Sequence, residues 1–352
     1  MEPDLNHVDK PAAKPVVLCT LALHAAGLQL LDGVADVIVA PDTRAETLYD
    51  MIGCADILLV RSQLPADLFE RPNHLIGVIR NGTGLDLIPV ESATRHGIPV
   101  ANVPGANVQT VAEYCVASML AMTRKIETMH RDLRERGWGE ARVHTGYTAD
   151  LHGKTIGIVG LGDIGRALAA ICHLGFGMRV LAYQPRLKPA PDYIESVPLD
   201  SLLAQSDFVS LNCPLTPETR HLLDARRIGL MKKTAVLINA ARGAVTDEMA
   251  LAAALQARRL GGAVIDVFSQ QPLPRDSAFL TLDNVLLTPH AAGLTPGSFA
   301  AMSTGAAKQM LQLFAGQRPA HLVNPEVWER FVASHASHVK SGSSRIDSMR
   351  LA

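Results

Sequence analysis

The stretch TIGIVGLGDIGRALAAI, Thr155 to Ile171, decides the fold of this chain. A short apolar run leads into three glycines, and a run of small and apolar residues follows them. Gly160, Gly162 and Gly165 have the spacing G-x-G-x-x-G. Between a strand and a helix, this spacing allows a tight turn, close approach of a pyrophosphate to the backbone, and close helix–strand packing. The stretch therefore predicts a dinucleotide-binding turn, with a plain strand–helix turn as the alternative.

Short apolar runs alternate with helix-like segments on both sides of this turn. The first half contains VVLCT, DVIVA, DILLV, LIGVIR and GIPVA. The second half contains TIGIVG, RVLAY, DFVSLN, AVLINA, GAVIDV and NVLLTP. Such alternation is typical of parallel sheets covered by helices on both faces. We expect an α/β protein with two doubly wound, Rossmann-like domains, of five and six strands.

Other segments predict helices and connections. Apolar residues at three- and four-residue spacing indicate a helix from Asn107, a plausible N-cap, to about His130. The polar segment Arg131 to Lys154 is either an arm on another subunit or an exposed loop. A further helix is expected to begin at Thr246 and to end at Gly261. The Ser-rich residues 331–352 are predicted to form a flexible tail.

Composition bounds the partners. The chain has 352 residues, 48% of them hydrophobic, and a formal net charge of −1 without a basic block. The charge of the chain therefore gives no electrostatic reason to expect binding to nucleic acid or to anionic membranes. The five scattered cysteines are expected to be buried reduced thiols, and no HExxH or His/carboxylate cluster predicts a metal. A polar, acidic amino terminus and the lack of a long apolar run predict a soluble cytoplasmic protein.

The residue after the second strand of this half bears on cofactor choice. NAD-selective proteins usually carry Asp or Glu there, about 20 residues past the glycines, for the ribose hydroxyls. This chain has Gln184, followed by Arg186 and Lys188. Without a carboxylate there is no charge to repel the 2′-phosphate of NADP, and a nearby cation could attract it. The alternative is that Gln184 simply hydrogen-bonds the ribose hydroxyls of NAD. The sequence thus supports NAD or NADP.

Three segments together resemble the D-specific 2-hydroxyacid dehydrogenase family, which includes phosphoglycerate, glyoxylate and hydroxypyruvate reductases. They are LHGKTIGIVGLGDIG, PLTPETRHLLDARRIGLMKKTAVLINAARGAVTDEMAL and VIDVFSQQPLP with NVLLTPHAAG. The resemblance, over roughly Val16 to Val323, implies hydride transfer between NAD(P) and a D-2-hydroxy or 2-oxo acid in an inter-domain cleft. It implies a substrate domain (1–106 plus 295–330), an NAD(P) domain (107–294), and a homodimer formed through the polar segment.

The resemblance also implies roles for individual residues. Arg242 would bind the substrate carboxylate and polarise the 2-oxo group, which suits a guanidinium, and His290 would exchange the proton. Asp266 would contact the nicotinamide carboxamide, or is an ordinary strand-end acceptor. The cofactor set is Gly160, Gly162, Asp163, Ile164, Gly165, Gln184, Cys213, Thr219, Ala240, Asp266 and Gly293. The substrate set is Arg61, Gly82, Thr83 and Gly84.

Two cations at expected strand ends bear on the substrate. Arg61 and Arg80 would favour a second anionic group, as in a phosphorylated or dicarboxylic substrate, or they are paired surface residues. The substrate itself is not named by the sequence, because backbone N–H groups and loop residues provide most of the recognition.

Gln271 stands where the family normally has a glutamate bonded to the histidine. An amide holds the ring but adds no charge, so we expect His290 to lose its proton at a lower pH than in a Glu–His pair. Two alternatives stay open. NAD-dependent formate dehydrogenases also have glutamine before proline here, and formate oxidation needs no acid–base step on an alcohol. The chain could also be a dinucleotide-binding regulator or pseudoenzyme.

Overall fold

The computed structural model describes residues 14–185 and 189–334. By their contacts, these residues form two compact units. The first comprises the described residues up to Ala106 together with those from Pro296 onward, and the second comprises Asn107–Thr295. Elements are numbered below in chain order.

The first unit is built on a five-stranded parallel sheet with the order β2-β1-β3-β4-β5. Its strands are β1 (Val16–Cys19), β2 (Asp36–Val39), β3 (Ile57–Val60), β4 (Gly77–Arg80) and β5 (Val100–Ala101). Its helices are α1 (Ala25–Leu31), α2 (Ala45–Met51), α3 (Val90–Arg95), α11 (Pro296–Phe314) and α12 (Trp328–Ser334). Because all strands run the same way, their carboxyl ends meet at one edge of the sheet, and the loop after β4 lies there.

The second unit is built on a seven-stranded parallel sheet with the order β12-β11-β10-β9-β6-β7-β8. Its strands are β6 (Thr155–Val159), β7 (Arg179–Tyr183), β8 (Ile194–Ser196), β9 (Phe208–Leu211), β10 (Val236–Asn239), β11 (Gly262–Ile265) and β12 (Val285–Leu287). Its helices are α4 (Val108–Arg124), α5 (Ile126–Glu135), α6 (Trp138–Val143), α7 (Asp163–Ala170), α8 (Leu199–Gln205), α9 (Ala225–Leu230) and α10 (Glu248–Gln256). The strand order reverses between β6 and β9, and a doubly wound fold binds its ligand at this switch point.

Aliphatic side chains form the core on both faces of each sheet. The central strands β3, β6, β9, β10 and β11 are buried along their whole length. Strands covered on both faces read as continuous apolar runs rather than as alternating patterns. This explains why they were recognisable in the sequence, and the predicted doubly wound α/β fold is confirmed.

Several predicted boundaries were wrong. The helix expected over 107–130 breaks at Lys125, whose φ of 53° is left-handed, and α5 begins after it. Asn107 occupies the N-cap position of α4 without a side-chain capping bond. In α10 the cap is Asp247, whose carboxylate accepts from the Ala250 amide, and the helix ends at Gln256 rather than at Gly261. Thr246, the expected cap, is buried before the helix starts.

The predicted arm is largely helical, since α5, α6 and a 3₁₀ turn over His144–Tyr147 occupy most of it. The expected tail begins inside α12, whose Phe331 is buried, and its part beyond Ser334 lies outside the described residues. Within the two described ranges, no helix has both the length and the apolar character needed to cross a bilayer. All five cysteines are free, but only three are buried as expected, because Cys54 is exposed and Cys213 is half-buried.

Candidate active site

The glycine turn follows β6 and opens α7. Gly160 has φ +99°, and a Cβ there would lie 2.8 Å from the backbone of Asn212 and Cys213, so only glycine fits. A Cβ at Gly165 would lie 2.3 Å from the Gly160 carbonyl oxygen. Gly162, the N-cap of α7, faces open space. The turn therefore leaves room at a positive helix end, which fits a pyrophosphate.

Other predicted cofactor residues lie at the same edge of the sheet. Gln184 follows β7, Ala240 follows β10, and Cys213 follows Asn212 at the end of β9. Burial raises the pKa of the Cys213 thiol to about 11, so it stays protonated at neutral pH. The Thr219 hydroxyl lies 2.7 Å from both the Thr216 amide and the Pro214 carbonyl oxygen, which fixes the turn after Cys213.

The first turn of α7 also faces the segment that follows β7. Asp163 is exposed and Ile164 half-buried. The Arg166 guanidinium donates to the Pro189 carbonyl, at 2.7 Å, and so connects α7 to this segment. Arg186 and Lys188, the cations considered for a 2′-phosphate, lie outside the described residues.

Arg242 lies in a loop after β10 that is held by a buried amide. The Asn239 side chain accepts from the Ala241 amide at 3.1 Å and donates to the Arg242 carbonyl at 2.9 Å. One guanidinium nitrogen of Arg242 donates to the Ala241 carbonyl at 2.7 Å. A Cβ at Gly243 would lie 2.2 Å from the backbone of Phe268. This close approach packs the Arg242 loop against the loop after β11, which carries Gln271.

His290 lies in the loop after β12 and is bonded to Gln271. Its Nδ1 is 2.9 Å from Gln271 Oε1, while Gln271 Nε2 donates to the Phe268 carbonyl at 3.1 Å. The second bond fixes the orientation of the amide, so Oε1 is an acceptor and Nδ1 must carry a proton. Neutral His290 then has its lone pair on Nε2, and the ring is exposed. The arrangement can therefore exchange a proton at Nε2.

The three loops that carry these residues follow neighbouring strands. β10 pairs with β11, and β11 pairs with β12, all in parallel. Strands lie about 4.8 Å apart in a sheet, so the ends of β10 and β12 are roughly 10 Å apart. A small organic acid spans that distance together with the side chains, and Arg242 and His290 can reach one molecule.

His290 has φ +56°, a left-handed conformation that costs a non-glycine residue about 1–2 kcal/mol. Asp266 holds the loop in this shape. Its Oδ1 accepts from the Thr288 hydroxyl at 2.6 Å and the Ala291 amide at 2.7 Å, and its Oδ2 accepts from the Ala292 amide at 2.9 Å. Asp266 thus acts as a strand-end acceptor, and its contact with the nicotinamide carboxamide stays a prediction.

Gly293 ends this loop. A Cβ there would lie 2.7 Å from the Asn107 side chain, so glycine is needed for the close packing of the loop against the start of α4.

In the first unit, the loop Asn81–Gly84 is shaped by Arg80. The guanidinium donates to the carbonyls of Val60, Asn81 and Gly84 at 3.0–3.1 Å. Gly82 has φ +147°, and the Thr83 hydroxyl donates to Val103 at 3.3 Å. Arg80 therefore supports the loop, in keeping with the alternative that it is a paired residue.

Arg61 follows β3 and is held above an aromatic ring. Its guanidinium carbon lies 4.3 Å from the centre of the Phe299 ring, and Nη1 donates to the Ala22 carbonyl. The His24 ring meets the same Phe299 edge-on at 5.4 Å. Sequence reasoning missed Phe299 and His24, because they meet Arg61 only through tertiary packing of α11 and α1 against the sheet.

Comparisons with known proteins agree with this geometry. The profile of the D-isomer specific 2-hydroxyacid dehydrogenase NAD binding domain matches residues 116–292. A glyoxylate reductase from Korarchaeum cryptofilum is 36% identical over 325 residues, covering 89% of this chain and 97% of the relative. A D-3-phosphoglycerate dehydrogenase from Methanocaldococcus jannaschii is 37% identical over 88% of this chain, which spans only 59% of that longer relative.

Two solved structures are also similar. An NADPH-dependent glyoxylate/hydroxypyruvate reductase from Sinorhizobium meliloti, in complex with NADP and malonate, is 26% identical with a TM-score of 0.79, over 88% of this chain and 97% of its own. An NAD-dependent formate dehydrogenase from Staphylococcus aureus, in complex with NAD, is 29% identical with a TM-score of 0.76, over 86% and 95% of the two chains. The family profile and the glyoxylate reductase relative establish the family of this chain. This chain belongs to the D-isomer specific 2-hydroxyacid dehydrogenase family, whose members are NAD(P)-dependent oxidoreductases.

Proposed function

We propose that this chain reduces a small 2-oxo acid to the D-2-hydroxy acid, and catalyses the reverse oxidation. The observation that carries the proposal is the His290–Gln271 bond, because it leaves Nε2 of His290 as the proton-exchanging atom. Arg242, two strands away, binds the substrate carboxylate and stabilises charge that develops on the 2-oxo oxygen. When bound, the nicotinamide nucleotide supplies or accepts the hydride.

The proton balance follows from His290. In reduction, the imidazolium donates the Nε2 proton to the substrate oxygen while the 2-carbon gains a hydride, and the ring ends neutral. In oxidation, neutral Nε2 accepts the hydroxyl proton as the hydride leaves. The Gln271 amide accepts from Nδ1–H in both states, so the ring keeps one orientation throughout the cycle.

The substrate class is proposed to include 2-oxo acids with a second anionic group. Arg61 supports this, since Phe299 and the Ala22 carbonyl hold its guanidinium in one place before any ligand arrives. A preorganised guanidinium loses little side-chain entropy when it binds a carboxylate or phosphate. Arg80, which is occupied with backbone carbonyls, is not part of this proposal.

Gln184 and its neighbours are proposed to determine the preference between NAD and NADP. An uncharged residue at the end of β7 does not repel a 2′-phosphate, so we propose that the protein accepts both nucleotides.

A spectrophotometric screen tests the proposed function. Glyoxylate, hydroxypyruvate, pyruvate and a phosphorylated or dicarboxylic 2-oxo acid are offered with NADH and NADPH, and formate is offered with NAD and NADP. We expect oxidation of the reduced nucleotide with at least one 2-oxo acid. Turnover of formate alone would favour the formate dehydrogenase alternative, which the profile and the curated relatives support less. Nucleotide binding without any turnover would favour a regulator.

The pH dependence of reduction tests the role of the amide. Reduction requires protonated His290, and a carboxylate at position 271 would favour the charged ring. We therefore expect Gln271→Glu to extend reduction to higher pH, by about one unit because His290 is exposed. The pH profile of kcat/KM measures the shift.

Gln270→Glu is the matched control, because it adds the same charge one residue away on an exposed side chain. Its profile should follow that of the wild type. Coincident profiles for Gln271→Glu and wild type would show that the electrostatic argument is wrong.

We also propose that the arm pairs two copies of the chain. Four of its large apolar side chains are 47–73% exposed: Leu133, Trp138, Val143 and Tyr147. Within the arm, His144 lies 2.7 Å from the nearly buried Asp132, and this bond keeps the pKa of the carboxyl below its usual value. A firmly held surface with exposed apolar side chains is typical of a protein interface.

A cytoplasmic location stays a prediction.

Sedimentation equilibrium tests the pairing. We expect a dimer for the wild type and a clear shift toward monomer for Trp138→Glu, because a charge would be buried without a partner. Leu174→Glu is the control, since Leu174 is 75% exposed and lies outside the arm. A monomeric wild type, or equal effects of the two variants, would contradict the proposal.

A further inference from the structure

A chain of hydroxyl groups ends on the carboxylate that holds the His290 loop. The Thr288 hydroxyl donates to Asp266 Oδ1 at 2.6 Å, an oxygen that also accepts from the Ala291 amide. Tyr114, on α4, has its hydroxyl 2.5 Å from Thr288 Oγ1. Since the Thr288 proton is already used, Tyr114 is the donor of that bond. The direction of the whole chain is therefore fixed as Tyr114 to Thr288 to Asp266.

The hydrogen bonds that run from Tyr114 through Thr288 to Asp266 hold the backbone on both sides of His290. Thr288 is two residues before the histidine, and the amides of Ala291 and Ala292 after it donate to the same carboxylate. The His290 amide itself donates to the Asp266 carbonyl at 2.8 Å and to the Thr288 carbonyl at 3.1 Å. The left-handed histidine is thus enclosed by bonds that depend on the placement of Thr288 and Asp266.

We propose that Tyr114 is a positioning residue for proton exchange at His290, acting through Thr288 and Asp266. The inference rests on the proposed function. It matters in this chain because Gln271 offers the ring only one neutral hydrogen bond and no charge. The backbone of the loop sets where the ring starts and so contributes to the direction in which Nε2 points, and Tyr114 ties that backbone to α4.

The surroundings keep Tyr114 in the donating state. Burial raises the pKa of the Tyr114 hydroxyl and outweighs the hydrogen bonds to Thr288 and Ser118, which lower it, while the nearby charge of Asp266 adds to the rise. The phenol therefore stays protonated over the pH range in which histidine titrates. Neighbouring contacts also fix the start of α4, where Val111 packs against the Gly293 end of the same loop.

Kinetics and hydrogen exchange test the inference together. We expect Tyr114→Phe to lower kcat for 2-oxo acid reduction about five-fold, the usual value of one hydrogen bond, with KM for the nucleotide unchanged. Thr288→Val should give a similar loss and Thr288→Ser should retain activity, because serine keeps the hydroxyl. The double variant Tyr114→Phe/Thr288→Val should be no worse than Thr288→Val alone, as expected of one chain.

Hydrogen–deuterium exchange reads the loop without any substrate. The amides of Ala291 and Ala292 should exchange faster in Tyr114→Phe than in the wild type. Tyr193→Phe is the control, since the Tyr193 ring stacks on His173 at 4.5 Å and its change should alter neither readout. Additive kinetic losses, or unchanged exchange in Tyr114→Phe, would overturn the inference. If the wild type turned over no 2-oxo acid, the proposed function would fail while exchange still decided the role of Tyr114.

Discussion

Replacement of His290 by asparagine is expected to lower kcat for 2-oxo acid reduction by about a thousandfold, within the range for loss of a general acid. Asparagine is chosen because, among residues other than glycine, it is one of those that tolerate the left-handed backbone best, and His290 has φ +56°. The variant therefore removes the imidazole without forcing the loop to change. Binding of NADH, followed by its fluorescence, should stay as in the wild type, because His290 is not expected to hold the nucleotide.

His221→Asn is a matched control for this variant. His221 is also an exposed histidine with a positive φ, 50°, in the second unit. Its activity should stay within about two-fold of the wild type, as for most surface substitutions. Full activity of His290→Asn would show that the proton comes from another group, and the reaction scheme would then be wrong.

The loss of activity expected for His290→Asn depends on the substrate. Hydride transfer from formate releases carbon dioxide and needs no proton exchange on an alcohol. If this chain acted as a formate dehydrogenase, His290→Asn would lose much less activity than in 2-oxo acid reduction. The same variant therefore separates the two chemistries, which the Gln271–His290 pair alone does not.

Most strands of this fold were predictable because a strand that is buried on both faces appears in the sequence as a continuous apolar run. β8, Ile194–Ser196, was missed because only Ile194 of its three residues is buried, so it carries no apolar run. The break at Lys125 was missed for the opposite reason. Apolar residues continue at helical spacing across it, and a single left-handed residue leaves no trace in the pattern.

The candidate site was predictable where a motif carries the chemistry and hidden where packing creates it. Arg242, Gln271 and His290 follow from local motifs on neighbouring strands. Phe299 under Arg61 and Tyr114 beside Thr288 join segments far apart in the chain, and neither residue type signals such a contact by itself. The prediction that Thr246 caps α10 was wrong because Asp247, one residue later, is the N-cap and its carboxylate accepts from the Ala250 amide.

Replacement of Arg242 by glutamine is expected to lower kcat/KM for 2-oxo acids by about a thousandfold, the upper range for losing one donor to a developing oxyanion. The loop should survive, because Asn239 holds it through backbone groups of Ala241 and Arg242 that glutamine retains. Arg242→Lys should recover only part of the loss. Lysine restores the charge but not the planar fork that matches a carboxylate.

The distribution of the loss between kcat and KM identifies the role of Arg242. Loss of a group that binds the carboxylate and also stabilises the transition state should raise KM and lower kcat together. Oxalate, a stable dicarboxylate, should inhibit the wild type and lose this inhibition in Arg242→Gln. Arg259→Gln is the control, because Arg259 is an exposed arginine beyond the end of α10. An unchanged KM with intact oxalate inhibition would place the substrate carboxylate elsewhere, and the guanidinium after β10 would then have only a structural role.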